Sequence, residues 1–409
     1  MRLDRIVWGK CFIFLCCCTF LWVPIIAHGK IIQLTPEDSL IKINKIIGKA
    51  TPGTEIHLLP GVYLGELIVS RVKGTAKNPI KIIGSTGSVI DAKKHGILIQ
   101  NSIFVMIDSI EIKNAERGIT IGGSQQISII NCIIHDVQNY GIMNYNSSGT
   151  TIGNNTIQRS LKEHGIYVSG EAQGIKIHDN FIEDTHINGI HCNGKILSPI
   201  IERNIFHRIG YYPDKEGGAS ITIVGGASSA LIQNNIFFHI YGQAVTIGGP
   251  GVKIINNLFH DVSWSILLGL QGASSLSFFN NIVIEKSAIP FHILEMNLNS
   301  FTSNYNYFSL KKQNIYAYNG GTYTWGQWRK MGFDVQSIVG DIPVLDPSKG
   351  LKDMDWNYQL SRNSNAVDGG APFFKDNKLP PGIGSERSDI GAFGGPANGW
   401  NEYAKIMEK

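Results

Sequence analysis

Four side chains that can transfer protons fall close together in one part of the chain: Glu163, His164, Tyr167 and His191. Histidine titrates near neutral pH, and glutamate or tyrosine takes part in proton transfer when its surroundings shift its pKa, so this set is typical of acid–base catalysis. Each residue also has a simpler interpretation. His164 could hydrogen-bond a turn, and Glu163 could be a solvated loop charge.

The backbone around these residues repeats at a near-constant interval. A small residue recurs in steps of roughly two dozen residues, and one longer step precedes Ser220. A fixed period of this size indicates a repeat architecture, in which each unit buries its apolar face against its neighbours. The aligned positions are Gly96, Gly118, Gly141, Gly165, Gly189, Ser220, Ala244, Ser265 and Pro290.

Alternating apolar residues follow each small residue, as in Ile166 with Val168 and Ile190 with Cys192. Period two with β-branched residues predicts strands that bury one face. The repeats leave no room for an ordinary helix, so three short strands per coil predict an all-β parallel β-helix. Tyr167 should then lie beside His191. The outward positions of this strand are Leu98, Thr120, Met143, Tyr167, His191, Thr222, Thr246, Leu267 and His292.

A column of asparagines just before the third strand supports the same alignment. Stacked amide side chains can bond to each other and to backbone groups that a sharp corner leaves unpaired. Asparagine also tolerates the left-handed conformation of such a corner. We predict a structural role for the column, which is Asp108, Asn131, Asn155, Asn180, Asn204, Asn235, Asn257, Asn281 and Asn306.

Residues 1–29 have the features of a signal peptide: a basic start, an apolar run and a small-residue exit. If this segment is cleaved, the protein is expected to be secreted or periplasmic, whereas an uncleaved segment would anchor the chain to a membrane. The mature chain keeps Cys132 and Cys192, which the repeat places three coils, or roughly 14 Å, apart. We therefore predict two free, buried thiols.

The N-terminal segment, residues 30–94, is predicted to hold a helical cap and the first coils. Thr35 is expected to begin a helix, because proline and two acidic residues follow it, and Gly48 to end it. A cap is needed because the first coil would otherwise expose core and strand edges. The apolar stripe of this helix is Leu40, Ile43, Ile46 and Ile47.

Residues 95–313 hold the repeats, and residues 314–409 are predicted to form an irregular tail that closes the far end and folds back along the solenoid. Trp325, Trp328 and Trp356 are expected to be buried there; alternatively, they form sugar-stacking platforms. A formal charge of +4 is small for 409 residues, so a nucleic-acid partner is not expected.

Taken together, the asparagine column, the unit at 164–167 and the unit at 188–191 resemble the right-handed parallel β-helix proteins of the pectin-lyase-like superfamily. Residues 53–63 and 74–80 resemble the opening of secreted polysaccharide lyases of the chondroitinase B and alginate lyase type, and residues 388–393 are similar to the ending of bacterial members. The resemblance implies a groove along the first strand that takes a polysaccharide. The paired aspartates of polygalacturonases and the Asp-Pro-His-Asp signature of mannuronan epimerases are absent, and no lysine–arginine pair aligns, so no family catalytic residue is transferred.

The polar residues cluster in neighbouring coils, beside a coil enlarged at residues 208–218, where insertions of repeat proteins often serve function. We predict a site with His164, His191, Tyr167 and Glu163 as catalytic residues. Substrate is expected to contact Arg117, Tyr140, Asn188 and Lys215. Candidate oxygen ligands for Ca²⁺ are Glu183, Asp184, Asp214 and Glu216.

Two classes of function remain open from the sequence. The first is an enzyme: a lyase that cleaves a uronic-acid polymer by β-elimination, or a glycoside hydrolase with Glu163 paired to Glu183 or Asp184. The lyase hypothesis uses Arg117 or Lys215 to neutralise the sugar carboxylate, His164 or His191 as the base, and Tyr167 as the acid. The second is a non-catalytic glycan-binding or adhesive solenoid. The local convergence of histidines, acids and bases beside an enlarged loop favours an enzyme, and we expect a lyase rather than a hydrolase.

Overall fold

The structure, a computed structural model, describes residues 30–210, 217–285, 289–294, 298–310, 314–318, 321–344, 358–377 and 384–398. Its strands form three sheets of 12 strands each, which we call Sheets I, II and III. Apart from the last two strands of Sheet I, successive strands of the chain lie in different sheets, and each pairs with its equivalent in the next coil. The predicted parallel β-helix is confirmed.

Sheet I carries the residues singled out above, and its strands pair in parallel except the last two, which pair antiparallel. The strands are Leu67–Ser70, His95–Gln100, Arg117–Gly122, Tyr140–Tyr145, Ile166–Gln173, Ile190–Leu197, Ala219–Val224, Gln243–Ile247, Ser265–Gly269, Ile289–Ile293, Asn314–Tyr318 and Gly321–Thr324.

Sheets II and III complete each coil. Sheet II contains Ile31–Leu34, Glu55–Leu58, Ile80–Gly84, Ile103–Asp108, Gln125–Ile130, Thr151–Gly153, Lys176–His178, Ile200–Glu202, Leu231–Gln233, Lys253–Ile255, Leu276–Phe279 and Phe301–Asn304. Sheet III contains Gly61–Leu64, Ser88–Asp91, Glu111–Lys113, Ile133–Val137, Thr156–Ser160, Phe181–Thr185, Ile205–His207, Ile236–Ile240, Leu258–Val262, Ile282–Glu285, Tyr307–Leu310 and Ile338–Val339.

The core runs along the inside of the coils and is formed largely by isoleucines, such as Ile166 and Ile190, that pair across neighbouring strands. The predicted register holds through most of Sheet I but is wrong by one residue near its end. Ile266, not Ser265, occupies the small-residue column, because Val245 pairs with Leu267. Leu267 is therefore buried in the core rather than outward.

The asparagine column forms a buried ladder between Sheets II and III. At each step, the side-chain oxygen of one asparagine accepts from the backbone N–H and the side-chain N–H of the one before it. Each side-chain amide also donates to a backbone carbonyl, as Asn155 does to Ile129 at 3.0 Å. The ladder is Asn155, Asn180, Asn204, Asn235, Asn257, Asn281 and Asn306.

Two predicted members of the ladder, Asp108 and Asn131, lie outside it. Asn131 stands in the adjacent column of left-handed residues beside Asn154, and the two side chains bond to each other. Cys132 takes the ladder position instead, and its backbone N–H donates to the Asn155 side-chain oxygen at 2.9 Å. The misalignment arose because the early coils lack the buried asparagine.

The N-terminal helix is Leu40–Ile47, so it begins later than predicted. Ser39 caps it by accepting from the Lys42 N–H at 3.3 Å, whereas Thr35 closes a turn with Asp38. Its Asn44 side chain bonds the backbone of Glu66 and Ile68 at the first strand of Sheet I. The helix therefore satisfies part of an edge that would otherwise be open.

The far end is closed by a 3-10 turn at Leu298–Ser300 and by the helix Trp325–Lys330, which has a capping box of Thr324 and Gln327. Trp328 is fully buried and donates to Asp334 at 2.9 Å, which confirms the cap interpretation for this residue. Trp356 lies outside the described residues.

The tail folds back along the left-handed column, as predicted. The Asn234 and Asn256 side chains donate to Ala392 and Asp389 carbonyls at 2.9 and 2.8 Å, and Asn280 accepts from the Ala371 N–H at 2.8 Å. The column thus serves as the docking site for the tail at Ala371, Asp389 and Ala392.

Two further expectations concern thiols and membranes. Cys132 and Cys192 are both free and buried, as predicted. Within the described ranges, no helix has both the length and the apolar character needed to span a membrane. The predicted signal peptide lies outside those ranges.

We expect tail docking to weaken as pH rises from about 4 to about 7. Burial raises the pKa of Asp376 to about 6 and that of Asp389 to about 7. Both groups are normally ionised above pH 4, so the docked tail binds more protons than the released tail across this range and is favoured on its acidic side. Hydrogen exchange of residues 366–395 at several pH values measures this. Asp389→Asn should reduce the pH dependence, and equal protection at pH 4 and 7 would contradict the prediction.

Candidate functional site

Tyr167 and His191 are paired neighbours on the outer face of Sheet I, as the repeat alignment predicts. Their ring centroids are 5.2 Å apart. Tyr140 stacks on Tyr167 from the preceding coil, with centroids 5.2 Å apart and planes inclined by 19°. His164 packs against all three rings. We call these four residues the His–Tyr cluster.

The glycine column explains why the cluster is compact. A Cβ atom built on Gly165 would lie 2.8 Å from the Gly189 carbonyl oxygen and 2.8 Å from an Ile182 methyl group. A side chain there would force the coils apart, so the residue before each glycine projects outward beside its counterpart. Tyr140 and His164 are two of these preceding residues, and Asn188 is the next.

His164 and His191 hydrogen-bond directly, with 2.9 Å between His164 Nε2 and His191 Nδ1. His164 is 6% exposed, and burial lowers its pKa to about 3, with a smaller effect from His191. Burial also lowers the pKa of His191 to about 4. Both rings are therefore neutral at pH 7, when neither can act as a cationic group.

Asn188 lies beneath His164, where its backbone N–H donates to His164 Nδ1 at 3.3 Å. Its side-chain nitrogen lies 3.4 Å from the same atom. The predicted role of this residue was substrate contact, but Asn188 is 6% exposed and its polar atoms bond within the protein. A ligand on the face of Sheet I would meet His191 and Tyr167 first.

Arg117 and Glu163 border the cluster. Arg117 pairs in register with Tyr140 and reaches Glu116 at 3.2 Å, while its buried Nε has no hydrogen-bond partner among the described residues. The Glu163 side chain is 38% exposed, and its carboxylate lies 3.6 Å from His164 Nε2. Burial raises the pKa of Tyr140, so its hydroxyl stays protonated.

Glu183 and Asp184 do not join the cluster. They lie on Sheet III, where Glu183 bonds His207 at 2.7 Å and Arg208 at 2.8 Å, and Arg208 also bonds Asp184 at 2.7 Å. These pairings occupy the oxygens that were predicted to bind Ca²⁺. In the described ranges, no group of three or more His, Cys, Asp or Glu residues is arranged to hold a metal ion. Asp214, Lys215 and Glu216 lie outside those ranges.

Some of this site was not predictable from residue types alone. The unpaired Nε of Arg117 and the inward bonds of Asn188 are the features that sequence reasoning missed. A partial signal existed, because Arg117, Tyr140, His164 and Asn188 occupy one column of the repeat. That column marks the positions that border the outer face.

The comparisons with known proteins support the same fold. A family model described as a right handed beta helix region matches residues 71–237. Among curated proteins, no match was found.

Several solved structures are similar across most of the chain. A pectate lyase, Pel9A, has 15% identity and a TM-score of 0.63, with 90% of this chain and 97% of that chain covered. An alginate lyase from Paenibacillus sp. str. FPU-7 has 18% identity and a TM-score of 0.52, with 71% and 98% covered. A lacto-N-biosidase from Eubacterium ramulus has 14% identity and a TM-score of 0.52, with 76% and 67% covered.

At these identities the solved structures establish architecture alone. Three stacked parallel sheets, the buried asparagine ladder and the matching family model agree on that architecture. The chain therefore has the right-handed parallel β-helix fold, which it shares with the pectate lyase and the alginate lyase described above.

Proposed function

We infer that this protein is a polysaccharide lyase that cleaves a uronic-acid-containing polymer by β-elimination at the His–Tyr cluster. The observation that carries the proposal is a pair of buried nitrogens without partners on one sheet face, Arg117 Nε and His191 Nε2. Each buried polar group that is left unpaired lowers the stability of the fold by about 1–3 kcal/mol. A ligand rich in acceptor oxygens, such as a polymer of uronic acids, would provide hydrogen-bond partners for both nitrogens.

The reaction needs three contributions from the protein. A base removes the proton from the carbon α to the carboxylate. The electron pair of that C–H bond forms a carbon–carbon double bond as the bond from the β carbon to the glycosidic oxygen breaks. The leaving oxygen then takes a proton. Positive charge or N–H donors must stabilise the carboxylate while negative charge builds on it. The His–Tyr cluster supplies the proton-transferring groups and an N–H donor for the carboxylate of the reacting sugar. Arg117, three coils or about 14 Å from His191 along the sheet, supplies positive charge to the carboxylate of another sugar of the same polymer.

The shape of the site fits a polymer. Equivalent positions on Sheet I repeat about every 4.8 Å along the solenoid, so an extended chain meets similar surroundings over several sugar units. The stacked rings of Tyr140 and Tyr167 form an aromatic surface against which a sugar can pack. Two of the three similar structures described above are named as lyases, which supports the same reaction class here.

The hydrolase alternative has less support, because it needs a second carboxylate opposite Glu163. Both nominated partners, Glu183 and Asp184, are held in ion pairs with Arg208 on another sheet. We also propose that residues 1–29 direct export, so that the protein meets extracellular or periplasmic polysaccharide.

The test incubates the purified mature protein with pectate, alginate, glycosaminoglycans and neutral glucans, each with added Ca²⁺ or with a chelator. Rising ultraviolet absorbance from an unsaturated sugar end is the expected result on one or more acidic polymers. New reducing ends without that absorbance would mean a hydrolase. Binding without any product would favour a non-catalytic glycan-binding protein, and either outcome overturns the lyase proposal.

A further inference from the structure

The orientation of the Asn188 side chain is fixed from two sides. Its oxygen accepts from the Ala219 backbone N–H at 2.8 Å and from the Thr222 hydroxyl at 3.2 Å. Because a backbone N–H can only donate, the bond from Ala219 identifies the oxygen end of the amide. The NH₂ end therefore faces His164.

His164 Nδ1 consequently receives two donors, the Asn188 backbone N–H and the Asn188 side-chain NH₂. A neutral imidazole has one N–H and one acceptor nitrogen, so the His164 proton must be on Nε2. That N–H points at His191 Nδ1, 2.9 Å away. His191 Nδ1 is then the acceptor, and His191 carries its own proton on Nε2.

We propose that Asn188 is a positioning residue that sets the direction of a relay, Asn188 to His164 to His191, whose open end is an N–H donor at His191 Nε2 for a ligand carboxylate oxygen. The choice of a carboxylate rests on the proposed function. The direction of the relay rests on the hydrogen bonds alone. His191 Nε2 is buried and has no partner among the described residues, so the donor is oriented before any ligand arrives.

This direction changes the roles predicted from sequence. His164 has no free acceptor, since Nδ1 is occupied and Nε2 holds the bridging proton. His191 offers a proton rather than a lone pair, so it binds the carboxylate and is not the base. Tyr167 makes no hydrogen bond through its hydroxyl among the described residues and packs against His191. Once its hydroxyl proton has been released to solvent, the Tyr167 phenolate is the group of the cluster left to take the proton from the sugar, and the phenol formed in that step gives the proton to the leaving glycosidic oxygen.

Nitrogen NMR of the full mature chain with ¹⁵N-labelled histidine tests the relay. At pH 7, the wild-type spectrum should show both His164 and His191 as neutral Nε2–H tautomers. Addition of an oligogalacturonate should shift the Nε2–H signal of His191, and its methyl ester, which lacks the charge, should shift it less. An Nδ1–H tautomer at His191, or an equal response to the two oligomers, would overturn the proposal.

Two variants separate the positioning role from a general structural one. Asn188→Asp places a carboxylate at His164 Nδ1, so the His164 proton should move there and the His191 proton should move to Nδ1. Thr222→Val removes only the contact on the far side of the amide and should leave both tautomers unchanged. If Asn188→Asp folds and keeps the wild-type tautomers, the proposed role of Asn188 is wrong.

The spectrum is independent of turnover, so the two proposals fail separately. The predicted tautomers without activity on any polymer would overturn the lyase function and support the relay. Lyase activity with the opposite tautomers would overturn the relay and leave the function standing.

Discussion

Replacing His191 with phenylalanine is expected to lower turnover of the acidic polysaccharide by about 10²–10⁴-fold, the usual contribution of a residue that takes part in proton transfer or stabilises developing charge. The phenylalanine ring keeps the ring contact with Tyr167 but removes both nitrogens. The reaction would lose its donor to the carboxylate, and His164 Nε2 would lose its acceptor. Steady-state kinetics on the polymer that proves active measures the effect.

Loss of folding could imitate this result, so the control is the same substitution elsewhere. His178 lies on Sheet II, is partly exposed and bonds Asp179 at 2.6 Å. His178→Phe should leave turnover within about threefold of wild type, because a histidine–carboxylate contact outside the cluster is of modest structural value. Thermal unfolding of both variants shows whether each is folded. A folded His191→Phe protein with wild-type turnover would remove His191 from the reaction.

The sequence predicts those contacts of the His–Tyr cluster that follow from the pairing register of neighbouring Sheet I strands. Tyr167 and His191 are adjacent because the glycine column repeats at the same interval on either side of them. Where the interval varies, the alignment fails. Ser265 was placed in the glycine column because it is small, whereas the structure puts Ile266 there. Residue size was a weaker guide than the strand pairing, which sequence alone does not reveal.

The ion pairs of Glu183 and Asp184 were also not predictable from the sequence, and here the reason is different. Both stand in the segment that precedes Sheet I, so the repeat suggested a loop beside the groove. They belong instead to a Sheet III strand, and Asp184 adopts a left-handed conformation with φ of 52°. That corner turns the carboxylate toward Arg208, one coil later. Only the three-dimensional path of the corner shows this pairing.

Hydrogen-bond direction in the relay also lies beyond the sequence. The types Asn188, His164 and His191 allow either tautomer order, because a half-turn of the amide would exchange its oxygen and NH₂ ends. The backbone N–H of Ala219 decides between them, because it fixes which end of Asn188 faces the histidine. Residue types therefore indicate which side chains can exchange protons, and backbone geometry determines which nitrogen of each histidine carries the proton.

The asparagine ladder is expected to show the largest effect on stability. Asn155→Ala should destabilise the fold by about 2–4 kcal/mol, because it leaves the buried Cys132 N–H without its acceptor, at about 1–3 kcal/mol, removes one donor from the Ile129 carbonyl and opens a small cavity. Asn155 is 1% exposed, so water cannot replace the lost bonds. Denaturant unfolding with an unchanged m-value is the measurement.

The adjacent residue provides a matched control for the ladder. Asn154 has φ of 55°, and its side chain bonds Asn131 at the surface rather than in the core. Asn154→Gly keeps a residue suited to the left-handed conformation and removes an amide that water can replace, so its effect should stay below about 1 kcal/mol. If the two variants lose equal stability, burial of the ladder is not what holds this corner.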